Sequence, residues 1–132
     1  MKNVLIISSS PRKNGNSELL CREFLEGALE AGHRAELIRL SEQQIGYCKG
    51  CYVCRKRGKC VQDDDMMPLL EKIKAADVLV LASPVYFYSM TAQLKTFTII
   101  ISINSLSCLS EFVLSQRHYG VHSILQLPLN CF

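Results

Sequence analysis

Four cysteines stand close together in Cys48-Lys-Gly-Cys51-Tyr-Val-Cys54-Arg-Lys-Arg-Gly-Lys-Cys60, a C-x2-C-x2-C-x5-C spacing. Thiolates two residues apart converge readily on one metal ion or cluster. Arg55, Lys56, Arg57 and Lys59 would offset the thiolate charge. Four soft donors suit an iron–sulfur cluster or Zn²⁺, and the compact spacing, without the long gap of a zinc ribbon, leans towards the cluster. Two blander readings stand beside it: reduced thiols packed against a sheet, and a redox-active dithiol pair.

A second group of chemical side chains is Ser8-Ser-Ser-Pro-Arg-Lys-Asn-Gly-Asn-Ser17. It follows an apolar run and opens a helical one, and the N–H groups at a helix start form a natural anion site. Ser and Asn add neutral donors, and Arg12 adds a charge-assisted contact. The segment is neither G-x-G-x-x-G nor a Walker loop, so a monophosphate suits it better than a dinucleotide or a triphosphate. The alternative is an ordinary solvated turn. The third group is Ser83-Pro-Val-Tyr-Phe-Tyr-Ser-Met90, whose aromatic rings can stack on a planar ligand. Its alternatives are aromatics covering a sheet end or forming a subunit contact.

These loops need elements to position them. Asn3–Ile7 is a short apolar run that predicts a buried strand. Leu20, Phe24 and Ala28 recur every fourth residue, as do Cys21, Leu25 and Leu29, which predicts a helix over 17–31. Gly32 stands where a helix-ending glycine belongs. Residues 35–40 alternate as a second strand. The cysteine segment, 45–61, has no period. Asp63-Asp-Asp65 then precedes a helix over about 64–75, with acids suited to its start and Pro68 tolerable only in its first turn. Residues 77–82 are a third apolar strand, and Thr91–Phe97 begins a third helix. Ile99–Ile103 fits either a strand or a continued helix, and Val121–Leu127 fits a strand. Strands alternating with helices predict a parallel sheet with right-handed crossovers and ligands at the carboxyl ends of the strands.

The chain has 132 residues, a length for one domain, with 48% hydrophobic and 20% charged residues and a net charge of +3. That excludes a disordered tail or a fibre and speaks against a nucleic-acid partner. No apolar run has the length of a membrane span and no leader pattern is visible, so the expected place is the cytoplasm. Seven cysteines in such a setting point to metal, cluster or thiol chemistry rather than disulfides. Cys21, on the apolar helix face, is expected in the core. Cys108 and Cys131 receive no role, and His33, His118 and His122 are expected to be solvated or structural.

Taken in order, the three motifs make the first 97 residues resemble the flavodoxin-like NAD(P)H-dependent FMN reductases and, within them, the iron–sulfur flavoproteins. The resemblance implies an α/β fold: a doubly wound parallel sheet in three α/β/α layers, in a single domain spanning 1–132. It implies FMN phosphate at Ser10, Arg12, Asn16 and Ser17, and the flavin ring against Pro84, Val85, Tyr86, Phe87 and Ser89. It implies a [4Fe–4S] cluster on Cys48, Cys51, Cys54 and Cys60, an FMN-dependent oxidoreductase activity, an electron donor that is NAD(P)H or ferredoxin, and a homodimer or homotetramer. A zinc-binding module and a truncated, inactive fragment are the competing readings. Residues 98–132 do not continue the family pattern. Of the 27 charged side chains only Glu111 and Arg117 fall after residue 96. This tail reads as out-of-frame translation or a truncated gene, which would leave the sheet incomplete and expose an apolar strand edge.

Overall fold

The computed structural model describes residues 1–104 and 123–128. Strand β1 (Asn3–Ser8) leads to helix α1 (Asn16–Glu30) and strand β2 (Arg34–Arg39). A 3₁₀ turn (Leu40–Glu42) and a short helix α2 (Val53–Arg57) lie in the next loop. Helix α3 (Met66–Ala75), strand β3 (Val78–Ser83), helix α4 (Ala92–Asn104) and strand β4 (Ser123–Pro128) follow.

The sheet order is β2-β1-β3-β4. β1 runs parallel to β2 and to β3, with Ser8 opposite Arg39 on one side and Ala82 on the other. Alternate side chains of β1 and β3 enter different layers. Leu5, Ile7, Leu79 and Leu81 pack with Met66, Leu69, Leu70 and Ile73 of α3 and Leu94, Phe97, Ile100 and Ile101 of α4. Val4, Ile6, Val80 and Ala82 pack with Cys21, Phe24, Leu25 and Ala28 of α1. Helices therefore cover both faces, and this is why β1 and β3 are continuous apolar runs. Cys21 is a core residue, 1% exposed. Gly32 ends α1 in the left-handed region, φ +78°, with its N–H donating to Leu29 O at 2.9 Å, a conformation glycine adopts without strain.

Of the two readings of Ile99–Ile103 the continued helix holds: the run extends α4, because Leu94, Phe97, Ile100 and Ile101 share its buried face. One expectation changes. The outer edge of β3 is not bare: all six of its residues pair with β4, and they pair antiparallel. The parallel sheet thus holds for three strands and becomes mixed at the fourth, whose backbone groups satisfy those of β3. Cys108, Cys131, His118 and His122 lie outside the described residues. Among the described residues no helix is long and apolar enough to cross a membrane.

Candidate functional site

The loops after β1, β2 and β3 leave the same, carboxyl edge of the parallel strands. The first and third are stitched together where they begin. The Ser9 N–H and Oγ–H both donate to Ala82 O, at 2.9 and 3.0 Å. Ser10 Oγ accepts from the Arg12 N–H at 3.3 Å and donates to Arg12 O at 3.2 Å, folding the chain back over itself. Asn14 sits at φ 60°, and α1 then begins on Gly15, an N-cap with no side chain to offer the first N–H groups. A Cβ on Gly15 would stand 3.4 Å from Arg12 Cβ, Arg12 O and Ser10 Oγ and fill the hollow. Ser10 and Ser17 are buried in the floor of this loop, while Arg12 and Asn16 are exposed at its rim. The hollow, its hydroxyls and its helix start fit a phosphate group.

Beneath the loop lies a carboxylate that pattern reading did not single out. Glu18 is 1% exposed. Its Oε2 accepts the Asn14 N–H at 3.0 Å. Its Oε1 accepts from Arg22 at 2.6 Å and from Arg39 of β2. Burial by itself raises the Glu18 carboxyl, but the hydrogen bonds from Arg39, Asn14 and Arg22 outweigh it and hold the group below its ordinary value. Contacts to Glu18 and Glu42 push the Arg39 guanidinium up in turn. These side chains line a cleft of about 600 Å³ between α1, β2 and α3. None of the residues expected to hold a cofactor lines it.

The loop after β3 carries its aromatics outward. The Tyr86 N–H donates to Ser89 O at 2.8 Å and the Ser89 N–H to Tyr86 O at 3.0 Å, closing a two-residue turn. Its central residues, Phe87 (φ 47°) and Tyr88 (φ 62°), are both left-handed, the geometry of a type I′ turn that normally demands Asn or Gly. Their rings meet edge to face at 5.9 Å and are 94% and 92% exposed. Bulky side chains in this region cost about 1–2 kcal/mol each and gather at functional sites. Val85, Tyr86 and Ser89 are also exposed, and Pro84 is half-buried. Behind them Ser83 Oγ donates to Pro84 O at 2.8 Å and accepts the Thr91 N–H at 3.0 Å, while Thr91 Oγ1 accepts the Leu94 N–H at 3.3 Å and so caps α4.

The cysteine loop is clamped at its root. The Gln44 N–H donates to Asp65 Oδ2 at 2.7 Å and the Gly46 N–H to Asp64 Oδ2 at 2.9 Å. Asp64 Oδ1 also accepts the Met66 N–H at 3.0 Å. The acids expected to favour the helix start thus also tie two distant segments together. Cys48, Cys51, Cys54 and Cys60 all line one cavity of about 20 Å³, closed by Ile100 and Ile103 of α4. The Gly50 N–H approaches Cys48 Sγ at 3.4 Å and the Gln62 N–H approaches Cys60 Sγ at 3.5 Å. Amides so placed favour sulfur that carries charge. The donor set therefore suits a thiolate-held group, although among the described residues no three Cys, His, Asp or Glu side chains converge as a metal-ligand set. The cavity has room for about one water molecule, so a larger group would require the loop to open.

Comparison with known proteins agrees with this layout. A family model described as NADPH-dependent FMN reductase matches residues 2–107, reaching beyond the 97 residues that carry the sequence resemblance. An iron-sulfur flavoprotein of Methanocaldococcus jannaschii is 46% identical over 92 residues, covering 70% of this chain and 48% of that protein. An iron-sulfur flavoprotein of Archaeoglobus fulgidus is 42% identical over 91 residues, covering 69% and 41%. The chain thus spans less than half the length of these curated relatives. Among solved structures, a flavone reductase superposes with a TM-score of 0.60 at 28% identity, over 76% of this chain and 30% of that one.

Proposed function

The chain belongs to the NADPH-dependent FMN reductase family, and from that membership we propose an FMN-binding oxidoreductase that also carries an electron-transfer centre on its four clustered cysteines. The observation that carries the reading is the stitch between Ser9 and Ala82, which sets the start of α1, with Gly15 at its N-cap, beside the aromatic turn at one sheet edge. In this reading Ser10, Arg12, Asn16 and Ser17 hold the phosphate, and Pro84, Val85, Tyr86, Phe87 and Ser89 face the flavin ring.

Bound FMN supplies hydride and single-electron chemistry; the protein supplies binding, orientation and electrostatics. The Ser hydroxyls and helix N–H groups would donate hydrogen bonds to the phosphate, and Arg12 at the rim would supply a countercharge. The aromatic turn would lie against the ring. With the loop opened, Cys48, Cys51, Cys54 and Cys60 would hold a [4Fe–4S] cluster, with the Gly50 and Gln62 N–H groups stabilising two of the sulfurs. The printed names of the relatives and the shared cysteine cavity support this part of the reading. NAD(P)H or ferredoxin is the electron donor, the assembly is a homodimer or homotetramer, and the setting is cytoplasmic.

The deciding experiment is an absorption spectrum of protein purified without oxygen, with iron and zinc measured on the same sample. Flavin bands together with a broad shoulder near ~400 nm and about four irons per chain are expected for a thiolate-held cluster. A colourless protein holding one zinc per chain would overturn the reading in favour of a zinc module. Flavin bands without iron would remove the cluster and leave the reductase.

A further inference from the structure

The sheet has a second edge, and it opens into the cleft between α1, β2 and α3. β1 pairs with one side of β2, and among the described residues no strand pairs with the other. The Arg34 N–H donates to Lys2 O at 2.9 Å, on the β1 side. Backbone groups in a parallel ladder turn to alternate sides from one residue to the next. The N–H and C=O of Ala35, Leu37 and Arg39 therefore face outward, and Leu37 and Arg39 line the cleft. Exposed strand edges are commonly blunted by charged side chains. Here Glu36 and Arg39 are drawn aside: Glu36 pairs with Lys72 of α3, and Arg39 with Glu18 of α1 and Glu42 of the 3₁₀ turn.

The walls of the cleft carry a charge opposite to that of the whole chain. Five carboxylates and three cations line it, on a chain whose net charge is +3. All three cations are paired, Arg22 and Arg39 with Glu18 and Lys72 with Glu36. Glu26 of α1 and Asp65, which precedes α3, form no ion pair among the described residues. Glu26 is exposed and Asp65 half-buried. On the α3 side Pro68 and Leu69 supply an apolar lining.

We propose that this cleft binds an extended, basic segment of another protein, which adds to β2 as a further strand. The outward N–H and C=O groups of Leu37 and Arg39 bond the backbone of that segment, a mode in which main-chain hydrogen bonds give affinity and alternate side chains give specificity. Successive side chains of a strand point to opposite faces. Basic residues at alternate positions therefore meet Glu26 on the α1 side, while the residues between them lie over Pro68 and Leu69 on the α3 side. A second copy of this chain is a poor occupant, because an isologous pairing sets the same acidic cleft against itself. The site is independent of the cofactor reading, since none of the residues proposed to hold the flavin or the cluster lines it.

The test titrates the full chain with a fluorescently labelled peptide of about six residues, the usual length of one strand, in which Lys and Val alternate. A Glu-Val peptide of the same length is the control. The Lys-Val peptide is expected to bind about tenfold tighter than the control, and Glu26→Lys to weaken it about fivefold. Amide hydrogen exchange, read by nuclear magnetic resonance, separates strand addition from loose electrostatic adhesion. Exchange at Leu37 and Arg39 should slow several-fold on binding, while Glu36 and Ile38, whose N–H groups face β1, stay as they are. Leu37→Pro removes an outward N–H at a place where an edge strand tolerates proline, and it should abolish binding. Circular dichroism checks that both variants are folded, and the exchange data and Glu26→Lys decide the matter if Leu37→Pro is not. Equal binding of the two peptides, unchanged affinity in folded Glu26→Lys, or unaltered exchange at Leu37 and Arg39 would each overturn the proposal. So would a dimer of the peptide-free chain that already protects these two amides, since the occupant would then be a second copy.

Discussion

The Asn14 N–H donates to Glu18 Oε2 at 3.0 Å, so a carboxylate inside the first turn of α1 holds the left-handed residue of the loop after β1. A buried negative charge directly under the proposed phosphate site would repel the anion. Here two guanidiniums, of Arg22 and Arg39, share that carboxylate and offset its charge. If that loop holds the phosphate as proposed, Glu18 is a positioning residue for it. Glu18→Gln keeps the shape but removes the charge that gathers the arginines, and it is expected to weaken FMN binding about tenfold, or ~1.4 kcal/mol. Riboflavin, which lacks the phosphate, should bind the variant as it binds the parent. Flavin fluorescence titrations of both ligands make the check, and an equal loss for the two would show that Glu18 does not act through the phosphate.

The same carboxylate gives the fold an acid-sensitive component. Burial opposes its ionisation, yet the hydrogen bonds from Arg39, Asn14 and Arg22 bring its folded value below the ordinary 4.5. A group whose folded value is depressed stabilises the fold above its unfolded value, and that stability is lost as pH falls through the folded one. Urea midpoints of the parent chain should therefore drop below about pH 4.5 more steeply than those of Glu18→Gln. The variant is expected to be less stable at neutral pH, since truncating one partner of a buried ion cluster costs about 3–5 kcal/mol and Gln restores only part of it.

Much of this architecture was legible because it is local. β1 and β3 announce themselves as apolar runs, α1 by its four-residue period, and its end by Gly32. Even there the pattern overreaches: Leu20 and Leu29 extend the α1 stripes but are 39% and 50% exposed, since the sheet covers only the face that contains Cys21, Phe24, Leu25 and Ala28. Ile99–Ile103 was ambiguous because a short apolar run has no period of its own, and only packing with α3 and the sheet makes it helical. The direction of β4 follows from its register on β3, which no local pattern encodes. The Glu18, Asp64 and Asp65 contacts reach 18 to 21 residues along the chain. Such acids look like ordinary helix-start residues until the fold brings their partners. The Phe87-Tyr88 turn was hidden for the opposite reason: its residues contradict the turn they form.

That contradiction makes a prediction. Replacing Phe87-Tyr88 by Asn-Gly supplies the residues a type I′ turn prefers. Relief of two left-handed aromatic residues, set against the entropy glycine loses on folding, should stabilise the chain by about 1 kcal/mol. The midpoint of thermal unfolding should rise by about 4 °C for a domain of this size. FMN affinity should fall in the same variant if Phe87 faces the flavin as proposed, because its exposed ring is gone. A turn retained only for its own stability would show no such opposition, and the variant would gain stability without losing affinity.

Asp64 joins the root of the cysteine loop to α3, through Gly46 on one side and Met66 on the other. Asp64→Ala leaves both N–H groups without their carboxylate acceptor. Because Asp64 is only half-buried, water replaces part of what is lost, and the cost should be about 1–2 kcal/mol. The functional consequence should be larger than the thermodynamic one. The cavity shared by Cys48, Cys51, Cys54 and Cys60 needs the loop held against Ile100 and Ile103. Freed at its root, the loop should expose Cys54 and Cys60, which are half-buried in the parent chain. Their reaction with a thiol reagent should quicken several-fold, while Cys21, 1% exposed beneath the sheet, stays protected in both proteins. Asp64→Asn keeps an acceptor oxygen and should fall between the two. Thiol reactivity that is the same in all three proteins would mean that the loop is held by its own turns and by α4, not by this carboxylate.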